Sequence, residues 1–196
     1  SRISSLAVSD VNGDDRLDII FIGDIDGLGV LEQKKDGTFG SSRSIARVNA
    51  AKRRDALKVA DFDGDAEQEI FVLGREEFYL FEQDGTRRDF PLNAGFRDNI
   101  TGYQMLDANE DGRLDLLFFS GSKFYATHLY TQDPSGDFAE EQMIASHLSG
   151  PVRAYERGKG RRFLTLDKGR NRVRELMLRR ERQPAKKSRI NVAGTA

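Results

Sequence analysis

The nine residues Asp10-Val11-Asn12-Gly13-Asp14-Asp15-Arg16-Leu17-Asp18 return twice further along the chain. They reappear as Asp61-Phe62-Asp63-Gly64-Asp65-Ala66-Glu67-Gln68-Glu69 and as Asp107-Ala108-Asn109-Glu110-Asp111-Gly112-Arg113-Leu114-Asp115. The first positions stand 51 and then 46 residues apart, a period that suits one unit of about four strands. A degraded fourth copy, Asp167-Lys168-Gly169-Arg170-Asn171-Arg172-Val173-Arg174-Glu175, begins 60 residues after the third. A repeat of this kind constrains the fold strongly, because one such unit cannot bury its apolar surface alone and must stack on its neighbours.

Each acidic stretch lies between two short apolar runs: "LAVSD" and "LDIIFIG", "LKVAD" and "QEIFVLG", "YQMLD" and "LDLLFFSG". These runs are too short for helices and rich in β-branched and aromatic residues, so each acidic stretch is predicted to be a loop joining two strands. The second run is apolar at nearly every position, which predicts a strand covered on both faces. A further pair of strands follows around Asp36-Gly37, Asp84-Gly85 and the stretch Asp133 to Asp137, where turn residues separate alternating runs. The expectation is an all-β chain, a β-propeller of four-stranded antiparallel blades with no helix. Three blades are clear (3–50, 55–98, 101–148) and one is degenerate or partial (150–196). These form a single propeller domain over 1–196, either a compact four-bladed ring or part of a larger propeller whose other blades lie outside. The chain starts without Met and reads as a mature piece or an excised fragment.

With 196 residues the chain is long enough to bury a core, and it has no cysteine, which excludes disulfides, thiolate zinc sites and cysteine catalysis. No apolar run reaches the roughly 18–20 residues of a membrane helix, and no signal peptide is read. The net charge of −1 conceals a split. Residues 1–150 hold 16 Lys and Arg against 28 Asp and Glu, whereas residues 151–196 hold 15 against 4.

Carboxylates at loop positions 1, 3, 5 and 9 are the chemistry of a hard cation such as Ca²⁺, which takes about 6–8 oxygen ligands. The first loop offers Asp10, Asn12, Asp14 and Asp18 with the backbone carbonyl of Arg16. The second offers Asp61, Asp63, Asp65 and Glu69 with the carbonyl of Glu67. The third offers Asp107, Asn109, Asp111 and Asp115 with the carbonyl of Arg113. A bound ion would relieve the repulsion among carboxylates crowded at a strand junction. The helical calcium loop is excluded because its twelfth position needs a bidentate acid, and here that position is Phe21, Val72 or Phe118.

On these motifs the chain resembles the FG-GAP or VCBS-type repeat of integrin α-subunit propellers and many bacterial extracellular proteins, with its pattern D-x-[DN]-G-D-G-x-x-D-[LI]. The resemblance spans residues 3–147, and 160–180 more weakly. Asp15 and Ala66 stand where the pattern has glycine at position 6, Glu110 where it has glycine at position 4, and Glu69 is a longer ninth ligand. The resemblance implies up to three structural Ca²⁺ ions. It further implies a non-enzymatic adhesion or interaction module that works outside the cytoplasm, at the cell surface or in the periplasm, and meets a protein or glycan partner.

The fourth copy has Gly169 and Asn171 where acids are needed and adds Arg170, Arg172 and Arg174, so no ion is expected there and arginine–carboxylate pairs take its place. The basic segment Arg153 to Arg189 is read as a solvated or internally paired face. Its sharper alternative is a patch for anionic ligands at Arg161, Arg162 and Arg172, which would make the chain a carbohydrate-binding propeller or the scaffold of a polysaccharide-acting enzyme. Regularly interleaved aromatics are missing, which argues against nucleic acid. His128, with Tyr125 and Tyr130 near it, and His147 are read as ordinary strand or turn residues. Gly23, Gly27 and Gly29 are read as a tight turn, and Phe81, Phe119 and Phe124 as blade core. No catalytic constellation is readable.

Overall fold

The computed structural model describes residues 2–23, 27–93, 97, 100–120, 127–139, 142–145, 153–156, 161–167, 172–180 and 190–194. Beyond residue 139 it describes side chains only at Leu164, Val173 and Glu175. The described strands are β1 (Ile3–Ser9), β2 (Asp18–Gly23), β3 (Gly27–Leu31), β4 (Arg43–Ala46), β5 (Leu57–Ala60), β6 (Glu69–Leu73), β7 (Glu77–Phe81) and β8 (Arg87–Pro91). They continue with β9 (Ile100–Leu106), β10 (Asp115–Ser120), β11 (Thr127–Tyr130), β12 (Gln142–Ala145), β13 (Arg153–Glu156), β14 (Arg161–Asp167), β15 (Arg172–Arg180) and β16 (Ile190–Gly194). They form four antiparallel sheets of four strands, and within each sheet every strand pairs with its neighbours in sequence. The expected all-β, blade-built architecture is therefore present. The chain packs as two compact units, Ser1–Leu92 with the first two sheets and Asn93–Ala196 with the last two.

Turn chemistry sets the hairpins. Gly37 at φ 82° donates its N–H to the Lys34 carbonyl at 2.9 Å, and Lys34 donates to Thr38 at 2.7 Å. The third sheet repeats this atom for atom with Gly136 at φ 80°, its N–H on the Asp133 carbonyl at 3.0 Å, and Asp133 on Asp137 at 2.8 Å. Only glycine takes such a φ without steric cost.

The middle strands carry the core. β6 and β10 are buried at every position, and β2 at all but two. In the first unit Phe71 lies between Phe62 and Phe78, with ring centroids 6.0 and 5.7 Å away, and Phe90 continues the stack at 5.0 Å from Phe78. Phe81 and Phe119 are buried as expected of blade core. Gly23 pairs with Gly27 across the β2–β3 turn, and Gly29 stays side-chain-free because the Phe21 ring covers it, so that a Cβ there would meet Cζ at 2.6 Å. Phe124, Tyr125 and His147 lie outside the described residues.

The fourth sheet departs from the expected order. The degraded loop was expected in the first connection, as in the other units, but it joins β14 to β15, the second and third strands. The cause is the stretch "PVRAYERG", which had no place in the repeat. Its residues Arg153–Glu156 form a strand of their own and pair with β14 from Arg153↔Leu164 to Glu156↔Arg161.

His128 sits in β11 and is 5% exposed, and burial pushes its imidazole down to about 4. The unfolded chain takes a proton near pH 6.5 and the folded chain only near pH 4, so stability is lost as pH falls through that window. A loss of about 2–3 kcal/mol between pH 7 and 4.5 is expected. Urea midpoints at the two pH values should show that loss shrinking by the same amount in His128→Leu.

Candidate metal centre

The three acidic loops have one backbone. Positions 4 and 6 are left-handed in each: Gly13 at φ 74° and Asp15 at 63°, Gly64 at 84° and Ala66 at 75°, Glu110 at 61° and Gly112 at 90°. The non-glycine residues noted at these positions therefore adopt the conformation glycine would have taken, and Ala66 has no polar side chain to compensate for it. Ala66→Gly is expected to raise the stability of the first unit by about 0.5–1 kcal/mol, and Gly64→Ala to lower it by about 1 kcal/mol, read as shifts of the urea midpoint.

The position 1 carboxylate organises each turn. Asp10 Oδ1 accepts N–H groups of Asn12, Gly13 and Asp14 at 3.3, 2.8 and 3.2 Å, and Oδ2 accepts that of Asp15 at 2.8 Å. Desolvation pushes the Asp10 pKa upward, but these four donors outweigh it and hold the carboxyl below its ordinary range. Asp61 does the same with Gly64 at 2.7 Å and Ala66 at 3.1 Å, and Asp107 with Asp111 and Gly112, both at 3.1 Å. The side chains at position 3 accept from the backbone N–H of position 5: Asn12 from Asp14 at 3.1 Å, Asp63 from Asp65 at 3.2 Å and Asn109 from Asp111 at 3.0 Å.

The ninth residue opens the second strand and is buried: Asp18 and Asp115 are 0% exposed and Glu69 is 2% exposed. Each carboxylate reaches back to the N–H of loop position 2, at Val11 (3.5 Å), Phe62 (2.5 Å) and Ala108 (2.8 Å). Burial pushes Asp115 up to about 7 against the N–H groups of Gln132 and Ala108 that oppose it, with Asp111 and Asp107 adding to the rise. Glu69 also reaches about 7, through burial first, with Asp63, Glu82 and Asp65 adding to it over the opposing Phe62 N–H. A cation beside these groups would offset the cost of ionising them.

The loops differ at position 7. The Arg16 guanidinium pairs with the Asp14 carboxylate, and its Nε donates to the Gln33 carbonyl at 2.9 Å. Arg113 pairs with Asp111 at 2.6 Å. Glu67 fills the position in the second loop, and there the carboxylates of Asp61, Asp63 and Asp65 converge, with one oxygen of each within 4.8 Å of the others. That spacing fits a single cation sharing all three. No metal-binding carboxylate triad other than this one occurs among the described residues.

One recurring residue escaped the sequence reading. Gln33 and Gln132 hold the same register, each donating its backbone N–H at 2.9 Å to the ninth acid, Asp18 or Asp115. The signal was present, since "EQKKDG", "EQDG" and "TQDPSG" all place a glutamine just before the turn. Glu82 was missed as well. Its carboxyl is raised by burial, over the opposing pull of Arg88, and by Asp63, Asp84 and Asp65, which places it in the electrostatic field of the second loop.

Arg161, Arg162 and Arg172 belong to β14 and β15, and their side chains lie outside the described residues. The ladder sets Arg161 opposite Glu156 and Arg172 opposite Asp167. Residues 168–171 of the degraded loop are also outside the described set.

Comparison with known proteins agrees with this construction. Residues 10–72 match the FG-GAP-like repeat family. Among curated proteins, the DNA-directed RNA polymerase subunit beta' of Koribacter versatilis (strain Ellin345) is 27% identical over 104 residues, which is 50% of this chain and 7% of that protein. Among solved structures, the β-propeller BBS1N, crystallised in complex with ARL6DN and soaked with mercury, superposes with a TM-score of 0.52. That match has 10% identity over 90% of this chain and 51% of that one. The lead-soaked crystal gives 0.51 at 10% identity over 90% and 54%. This chain thus spans about half of the propeller chains it resembles. Residues 10–72 are an FG-GAP-like repeat, set in a chain of β-propeller blades.

Proposed function

We propose that this chain is a calcium-stabilised propeller module of adhesion type, which works outside the cytoplasm and presents its blades to a protein partner without catalysing a reaction. The observation that carries the reading is the convergence of Asp61, Asp63 and Asp65 within 4.8 Å, in a loop whose backbone the chain builds three times. Asp61, Asp63, Asp65 and Glu69 would hold the ion in the second loop. Asp10, Asn12, Asp14 and Asp18 would serve the first, and Asp107, Asn109, Asp111 and Asp115 the third, with the carbonyls of residues 16, 67 and 113 completing the sets. The ion supplies positive charge that ties two strands together. Millimolar calcium outside cells suits loops of modest affinity. The likeness to BBS1N, crystallised with ARL6DN, supports a protein as the partner. No helix among the described residues is long and apolar enough to cross a membrane.

Calorimetric titration with Ca²⁺ tests the reading. The chain is expected to bind calcium, and Asp63→Ala should remove one binding event while the others remain. Absence of any calcium heat up to several millimolar would refute it.

A further inference from the structure

We infer that the face of the first blade bearing Leu6, Val8, Ile19, Phe21 and Leu31 is a blade-docking surface. Its occupant is a further four-stranded antiparallel blade supplied from outside residues 1–196. The inference rests on the blade architecture and is independent of calcium.

The repeat provides its own control. Strand registers equate Leu6 with Leu57 and Tyr103, Ile19 with Ile70 and Leu116, Phe21 with Val72 and Phe118, and Leu31 with Phe81 and Tyr130. In the second blade this face is sealed, with Leu57 2% exposed and Val72 0%. In the third, Leu116 and Phe118 are buried as well. In the first blade Leu6 is 55% and Val8 54% exposed, and Ile19, Phe21 and Leu31 are only half-buried. The opposite face of the same blade, with Ser5, Ile20, Ile22, Leu28 and Val30, is buried throughout. That face is turned to the second blade: β1 lies against β5, and Ser5 Oγ donates to the Arg54 carbonyl at 2.8 Å. Blades of this chain therefore stack face to opposite face. The surface that fits Leu6 and Phe21 is the kind the first blade presents to the second, small and β-branched. A contiguous apolar sheet face left in water is a recognised mark of an interaction site.

The test uses the absence of cysteine in the chain. Leu6→Cys is introduced into the chain as it stands, and into a chain lengthened by a second copy of residues 1–53 placed ahead of Ile3, a junction that preserves the blade register. Maleimide labelling of Leu6→Cys is expected to be fast in the first and at least about tenfold slower in the second, because a folded neighbour limits exchange to open states. Asp36→Cys, on an exposed turn, should label equally in both. Equal labelling of Leu6→Cys in the two chains overturns the inference. So does protection already present in the unextended chain, which would mean that the face is covered without a further blade. Labelling of the buried Ile20→Cys in the extended chain would show that the added blade is not accepted, and overturns it too.

Discussion

Phe71→Ala should lower the melting temperature of the first unit by about 20 °C, the largest single-residue effect expected in this chain. Phe71 is 0% exposed and is the ring through which Phe62, from the acidic loop, meets Phe78 and Phe90 of the later strands. Truncation removes the transfer free energy of the ring and leaves a cavity that rigid strands on both sides cannot close. Together these are worth about 3–5 kcal/mol, against a total stability of about 5–15 kcal/mol for a domain. Phe39→Ala is the control, because that ring is 40% exposed beyond the β3 turn. It should stay within about 0.5 kcal/mol of the parent. Comparable losses in both variants, by calorimetry or urea titration, would show that the aromatic stack does not hold the unit together.

Calcium is expected to raise the melting temperature by about 10 °C over the EDTA-treated chain when free ion exceeds its dissociation constant a hundredfold, a gain of about 2.7 kcal/mol per site. The physical source is the second loop, where Asp61, Asp63 and Asp65 converge and the seventh position brings another acid, Glu67, in place of an arginine. In the first and third loops the Arg16–Asp14 and Arg113–Asp111 pairs already neutralise part of the charge. Most of the rise should therefore disappear in Asp63→Ala. Magnesium should give a much smaller rise, because it demands near-octahedral geometry and gives up its water reluctantly. A melt unchanged by calcium would withdraw both the ion and the extracellular setting argued from it.

The repeat by itself determined the fold of the first three sheets. Three acidic loops between short apolar runs left few alternatives to four-stranded units, since the loops fix where strands end and the doubly covered second strands fix how the units stack. The left-handed positions were legible too, since Asp15, Ala66 and Glu110 stood where the repeat calls for glycine and adopt positive φ. The fourth sheet was less legible. Its loop had lost the residues that mark the register, and only backbone pairing showed that Arg153–Glu156 is a strand and that the degraded loop has moved one connection along.

Two further matters were decided in three dimensions. Arg16 and Arg113 were read from the sequence only for their backbone carbonyls, but the turn folds each guanidinium back onto the carboxylate two residues earlier. Sequence spacing cannot show this, because it depends on the left-handed residue between them. The uncovered face of the first blade was equally hidden. Leu6 and Leu57 read alike in the repeat, but burial is a property of what packs against a residue, and only the tertiary structure shows that Leu57 has a neighbour where Leu6 has water.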